Sequence, residues 1–302
     1  MPATDRSTIR RRPVAGRDGL DAELAGLDAL ELAPAPGPGR RRRAWSAAWP
    51  KLAAAALGLF LWQVVVWAGW KSSYVLPGPG PVFRALGDLA ASGSLAEAVA
   101  NTMRRGLTGF ALSILIGVVL GVAVAQVRVL RTAFGSLITG LQTMPSIAWF
   151  PLAVLLFQRS EKAILFVVIL GSAPSIANGL VAGVDTIPPL LLRAGRVLGA
   201  RGAARLRYVV MPAALPSFVA GLKQGWSFSW RSLLAGELLV IIANKKSIGS
   251  QMEFARQFSN AEQLIGLMLV VLVIGIVIDA VVFGTVERRI RRRWGLVDPA
   301  GD

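Results

Sequence analysis

The 302 residues contain no cysteine and no histidine. Disulfides, thiolate nucleophiles, imidazole bases and the commonest transition-metal ligands are thereby excluded, and no metal site is expected. Acids are scarce: 17 Asp and Glu stand against 33 Lys and Arg. No pair of acids converges on the apolar runs, so a membrane-embedded enzyme is a remote reading and no catalytic residue is assigned. A GxxxxGK[ST] phosphate loop is also missing. Lys71-Ser72 and Lys246-Ser247 lack the glycines that would have to precede them. The chain therefore cannot hold ATP in that way, and no cofactor is expected on it. No cleavable leader is expected either, because the first apolar run starts near Leu52 and is too long for an h-region.

Apolar sequence is what the chain has in excess. It is 54% hydrophobic and 17% charged, where soluble domains run near a quarter charged. The excess lies in runs near twenty residues long, the length a bilayer demands. Solid runs rather than alternation exclude a β-barrel. The expected fold is an all-α polytopic membrane protein with six transmembrane helices, at about 52–70, 106–127, 133–157, 163–184, 209–242 and 264–286. Pro145 and Pro151 interrupt the third span, and Pro174 lies in the fourth. Gly117–Gly121, Gly179–Gly183 and Gly221–Gly225 stand at the spacing that lets helix backbones approach closely. Residues 1–44 read as a disordered, basic cytoplasmic tail. Within it, Leu20, Leu24, Leu27 and Leu30 could line a transient amphipathic helix. Residues 45–295 form the transmembrane domain, and 296–302 a short tail. No internal repeat is evident, which argues against a complete carrier of the two-half kind.

The charge imbalance, +16, fits the flanks of the spans. With both termini in the cytoplasm, 22 of the 33 basic residues fall in inside segments and 9 outside, as the positive-inside rule requires. Clusters such as Arg40 to Arg43 also suit anionic lipid headgroups. No aromatic platform interleaves with them, so nucleic acid is not an expected partner. On this orientation "YVLPGPGPVFRALGDLAASGSLAEAVANTMRR" is an outside segment with an extended start and a short surface helix. The segment "NKKSIGSQMEFARQFSNAEQ" is a second outside loop. The segment 185–208 lies inside.

That inside loop carries "RAGRVLGARGAARLRYVVMPAALP". Pro188 and Pro189 suit a helix start. Gly199 and Gly202 loosen its end, and Pro212 and Pro216 open the next span. The spacing predicts a short rigid helix able to dock into a groove on a soluble partner. Here the chain resembles the permease subunits of bacterial ABC importers. Their loop motif runs Glu-Ala-Ala, three residues, Gly, nine residues, Ile-x-Leu-Pro. Arg193, Ala194 and Gly195 stand at the triplet, Gly199 at the glycine, and Val209, Met211 and Pro212 at the close. Arg193 replaces the family's Glu, so any contact made through that carboxylate does not carry over. The likeness extends over about 72–295, through "MPSIAWFPLAVLLF" and "ALPSFVAGLKQGWSFSWRSLLAGELL", toward the subgroup for sulfonates, taurine and nitrate.

The resemblance implies a five-helix importer core plus one N-terminal helix, in a bacterial inner membrane. It implies two permease copies (a homodimer), two ATP-binding cassette subunits that hold ATP and Mg, and an extracytoplasmic substrate-binding protein. The loop motif would meet the ATPase. The expected cargo is a small anion, an alkanesulfonate or related organosulfur compound. Candidate pathway residues are Ser175 and Asn178 on the fourth span, and Gln224, Ser227, Arg231 and Glu237 on the fifth. Lys223 is expected to snorkel to the interface. Arg231 has two open roles, attracting an anion or making a structural pair. Glu237 is six residues on, so it does not face Arg231 along one helix, and a structural partner for Arg231 across a dimer seam is open. The alternative function is an ion-coupled secondary carrier working without an ATPase, with Glu237 or Asp279 as its proton site.

Overall fold

The computed structural model describes residues 40–243 and 245–293. The basic tail up to residue 39, with its leucine stripe, and the tail 296–302 lie outside the described residues. Among the described residues there is no strand. The chain divides into two units after Leu61. The first ends within helix α1 (Arg40–Trp67), whose segment Trp49–Trp67 is long and apolar enough to cross a membrane.

In the second unit, the Trp62 indole donates to the Pro77 carbonyl at 3.2 Å. Helix α2 (Pro79–Ala91) starts on a proline, which loses no hydrogen bond at that position. After Gly93 the chain runs through α3 (Ser94–Gln126). The apolar run from 106 marks only part of this helix. Its first turns carry Glu97, Asn101, Thr102, Arg104 and Arg105, so hydropathy places the start too late.

The third span is not one helix. It divides into α4 (Arg128–Thr143), a 3₁₀ turn at Ser146–Trp149 and α5 (Phe150–Phe157), with a 101° bend between the two halves. Pro145 is the cause. It clashes with an α-conformation at the preceding residue, and Met144 is extended at φ −75° and ψ 127°. Pro151 falls in the first turn of α5, where it does no harm.

Helix α6 (Glu161–Asp185) follows, then the loop helices α7 (Pro189–Val197) and α8 (Gly202–Arg205), and a π-helical turn at Leu206–Val210. Next come α9 (Met211–Leu239), α10 (Ile248–Gln257), α11 (Ala261–Val277), a second π-helical turn at Ile278–Phe283, and α12 (Gly284–Arg293). Among the described residues, four helices qualify as membrane spans by length and composition, or five with the bent pair. The other long helix, α9, is more polar, but its 29 residues reach roughly 43 Å. Six crossings are compatible with this set.

Close backbone approach holds α6 between α3 and α9. A Cβ on Gly117 would lie 2.8 Å from the Ala173 carbonyl, and one on Gly179 only 2.5 Å from Gly221 Cα. The small-residue spacings are therefore true contact points, where dispersion between backbones replaces the hydrophobic drive that lipid cannot supply. Ser113 and Ser172 join α3 to α6, hydroxyl to hydroxyl, at 2.5 Å. The core sits around Trp226 and Trp230, whose rings stack at 6.1 Å, with Phe110 edge-on to Trp226 at 5.2 Å.

Ion pairs sort the loops into two ends. Lys245 meets Glu161 at 2.6 Å and Lys246 meets Glu97 at 3.6 Å at one end. Arg131 pairs with Asp185, and Lys223 with Asp279 and Glu287, toward the other. Lys223 reaches the carboxylates of Asp279 and Glu287 with its ammonium group.

Candidate functional site

The loop helix α7 projects a rigid, partly apolar surface. Its C-terminus closes with the Ala200 N–H on the Gly195 carbonyl and the Gly199 N–H on that of Arg196. This pair of bonds is the Schellman closure, and it needs a left-handed residue at the turn, met by Gly199 at φ +82°. Gly195 is buried, and a Cβ there would lie 2.8 Å from Val209 Cγ2. The triplet and the end of the motif therefore touch, fastening α7 to the root of α9. Arg193 and Ala194 are exposed, as is Met211, while Val209 and Pro212 are half-buried. Leu190, Val197 and Leu198 are 76%, 87% and 85% exposed.

Glu237 occupies a packed knot, not an open wall. It is wholly buried and accepts hydrogen bonds from Arg105 Nη1 at 3.0 Å, Thr102 Oγ1 at 2.8 Å and the Gly249 N–H at 3.1 Å. The Ile248 N–H donates to Thr102 Oγ1 at 3.0 Å, so the first turn of α10 is held by the same group. Arg105 Nη2 also lies 3.5 Å from Glu161 Oε1. The ion partner of Glu237 is thus on α3 of its own chain.

The other candidate pathway residues divide. Gln224, Ser227 and Arg231 share one exposed face of α9, at i, i+3 and i+7, and Asn178 is exposed on α6. Ser175 is buried at the α6–α9 contact, and its hydroxyl has no hydrogen-bond partner among the described residues. Ser227 Oγ donates to its own helix at Lys223 O, 3.2 Å away. Arg231 borders a cavity of about 370 Å³ where α9 faces the bend in the third span. A larger cleft, about 550 Å³, opens between α2 and the start of α11 beside Arg84, Asp88 and Glu262. Also outside the spans, hydrogen bonds from Arg256 and Gln257 hold the Glu253 carboxyl well below the usual range, at about 2. Among the described residues no cluster of acids could hold a metal ion.

Residues 113–293 match the family model for the binding-protein-dependent transport system inner membrane component. The chain belongs to that family. It is an ABC transporter permease, a transport subunit and not an enzyme. Among its relatives, an Escherichia coli K12 permease named for aliphatic sulfonates is 29% identical over 234 residues, 78% of this chain and 87% of the relative. The taurine transport system permease of the same strain is 26% identical over 229 residues, 74% and 82% of the two chains. A crystal structure of an amino acid ABC transporter superposes with a TM-score of 0.55 at 16% identity, covering 68% of this chain and 97% of that one, and shares the fold.

In this permease the sequence alone missed three functional-looking groups. Arg105 and Thr102 sit in the polar lead of α3, assigned to the outside loop. Gln142 lies at the edge of the broken span, and its buried Nε2 has no hydrogen-bond partner among the described residues. A polar residue three positions before the span-breaking Pro145 was the available signal.

Proposed function

We propose that this chain forms the translocation pathway of an ATP-driven importer for a small anion, an alkanesulfonate or related organosulfur compound. Two copies work with two ATP-binding cassette subunits, which hold ATP and Mg, and with an extracytoplasmic substrate-binding protein. The termini and α7 lie on the cytoplasmic side. The opposite end, with α2, α10 and the 550 Å³ cleft, faces the binding protein. One observation carries the coupling role: α7 is closed at Gly199, fastened to α9 through Gly195 and Val209, and exposes Leu190, Val197 and Leu198. A push on α7 is therefore delivered to the root of a spanning helix. The sulfonate and taurine permeases among the relatives support the cargo class.

The ion-coupled carrier has less support. Both of its candidate proton sites are engaged by cations, Glu237 by Arg105 and Asp279 by Lys223. The test uses the chain's lack of cysteine. A single cysteine at Val197 or Leu198 avoids the covered position at Gly195 and should be cross-linked to a co-expressed ATPase. Ethanesulfonate uptake into proteoliposomes should require ATP and the binding protein. No capture from either position, or uptake without ATP hydrolysis, rules the proposal out.

A further inference from the structure

Among the described residues, the charged side chains of α9 are ion-paired at Lys223 and Glu237 but not at Arg231. Arg105 meets Glu237 and Glu161, and Lys223 meets Asp279 and Glu287. Arg231 has no carboxylate within ion-pair distance among the described residues. Its Nε donates to the Ser227 carbonyl at 3.0 Å, and its guanidinium carbon lies 4.8 Å from the centre of the Phe228 ring. Neither contact is a hydrogen bond from Nη1 or Nη2. An unpaired cation at membrane depth is costly and is kept where it faces water or a counter-charge. This one borders the 370 Å³ cavity formed by the bend at Pro145.

The other polar side chains lining that cavity are Gln142, Thr143 and Ser146, and the Thr143 hydroxyl is spent on the Gly140 carbonyl at 2.8 Å. Gln142 lines it, with its Nε2 buried and unpartnered among the described residues. Ser232 Oγ is buried and likewise unpartnered directly behind Gly171, where a Cβ would come within 2.7 Å of it. No carboxylate lines the cavity, and Met144, Ile147 and Phe228 supply apolar wall. Such a set matches an oxyanion. The forked guanidinium takes two oxygens, the amide takes a third, and the wall accepts a short alkyl group.

We propose that this cavity is an intramembrane site for a small organic oxyanion with a short apolar substituent, held by Arg231 and Gln142. The proposal rests on the transport reading above and adds to it. Selectivity then lies partly in the permease and not only in a delivering protein.

The test uses the full chain, purified with its ATPase in phosphatidylcholine nanodiscs without the binding protein. The probe is radiolabelled ethanesulfonate, and the competitor is ethyl methyl sulfone, similar in size but uncharged. Binding should saturate and should resist the sulfone. Arg231→Gln and Gln142→Leu should each weaken it about tenfold or more, the loss of one charge-assisted hydrogen bond. Arg231→Lys, which keeps the charge without the fork, should fall between. Equal competition by the sulfone overturns the proposal without any variant. So does binding that survives both substitutions, or binding abolished by phosphatidylglycerol, which would assign the cavity to lipid phosphate. A preparation that carries the ATPase but binds no ethanesulfonate sinks this site alone. A preparation that never retains an ATPase sinks the transport reading beneath it.

Discussion

Removing the Glu237 carboxylate should be the most damaging single change in the bundle. Its oxygens satisfy Arg105, Thr102 and the Gly249 N–H in a place water does not reach. Arg105 itself is only 4% exposed. Glu237→Ala strands that guanidinium beside the more distant Glu161 and leaves donors on α3 and α10 unsatisfied. Breaking a buried ion pair from one side costs about 3–5 kcal/mol. In a chain of 302 residues that corresponds to a fall in melting temperature of roughly 5–8 °C. Glu237→Gln keeps the shape and one acceptor, so its loss should be smaller, about 1–3 kcal/mol. Arg105→Met with Glu237→Leu removes both charges and should be far milder than the sum of the single changes. The assay is tryptophan-fluorescence melting of the purified chain, run as a double-mutant cycle. Additive effects, or a Glu237→Ala protein that melts within about 2 °C of the parent, well under the loss one such pair implies, would refute the closed ion pair. A side chain on an open passage wall would behave in that way.

Gly179→Ala should destabilise by about 1–3 kcal/mol, because its Cβ meets the Gly221 backbone, which cannot rotate away. Gly135→Ala meets nothing within 4 Å and should melt within about 0.5 kcal/mol of the parent in the same assay. Gly199→Ala imposes a left-handed conformation on an alanine at φ +82°, about 1–2 kcal/mol of local strain. It should lower ATP-driven uptake per ATP hydrolysed while the melting temperature of the spans stays near the parent's. Glu253 tests the pH response at the C-terminal half of α10. Its folded carboxyl is depressed to about 2, so the stabilisation from Arg256 and Gln257 is present above the ordinary carboxylate range and is lost as pH falls through about 2. A carbon-13 titration of Glu253 should show its midpoint near 2, and one near 4 would contradict the pairing.

How much could be read beforehand differs from element to element. The loop is the most legible part. Pro189, Gly199 and Pro212 are backbone constraints that act locally, so their spacing alone placed α7, its end and the next helix. The small-residue spacings were legible for a similar reason, since a glycine leaves a gap wherever its helix lies. The third span was half legible: Pro145 announced an interruption, but not that the chain turns through 101° there. The start of α3 was misplaced because a helix can continue past the membrane on polar residues, and hydropathy is silent about them.

Charge partners were not legible at all. Glu237 and Arg105 are 132 residues apart, and Arg231, six positions before Glu237, has no ion-pair partner among the described residues. One-dimensional patterning determined the membrane class, the basic flanks and the hinge-bearing loop, because these follow from transfer energies and local backbone limits. Which charge is neutralised and which faces a cavity depends on how each helix is rotated about its axis and set in depth against its neighbours. Only side-chain packing in three dimensions decides that.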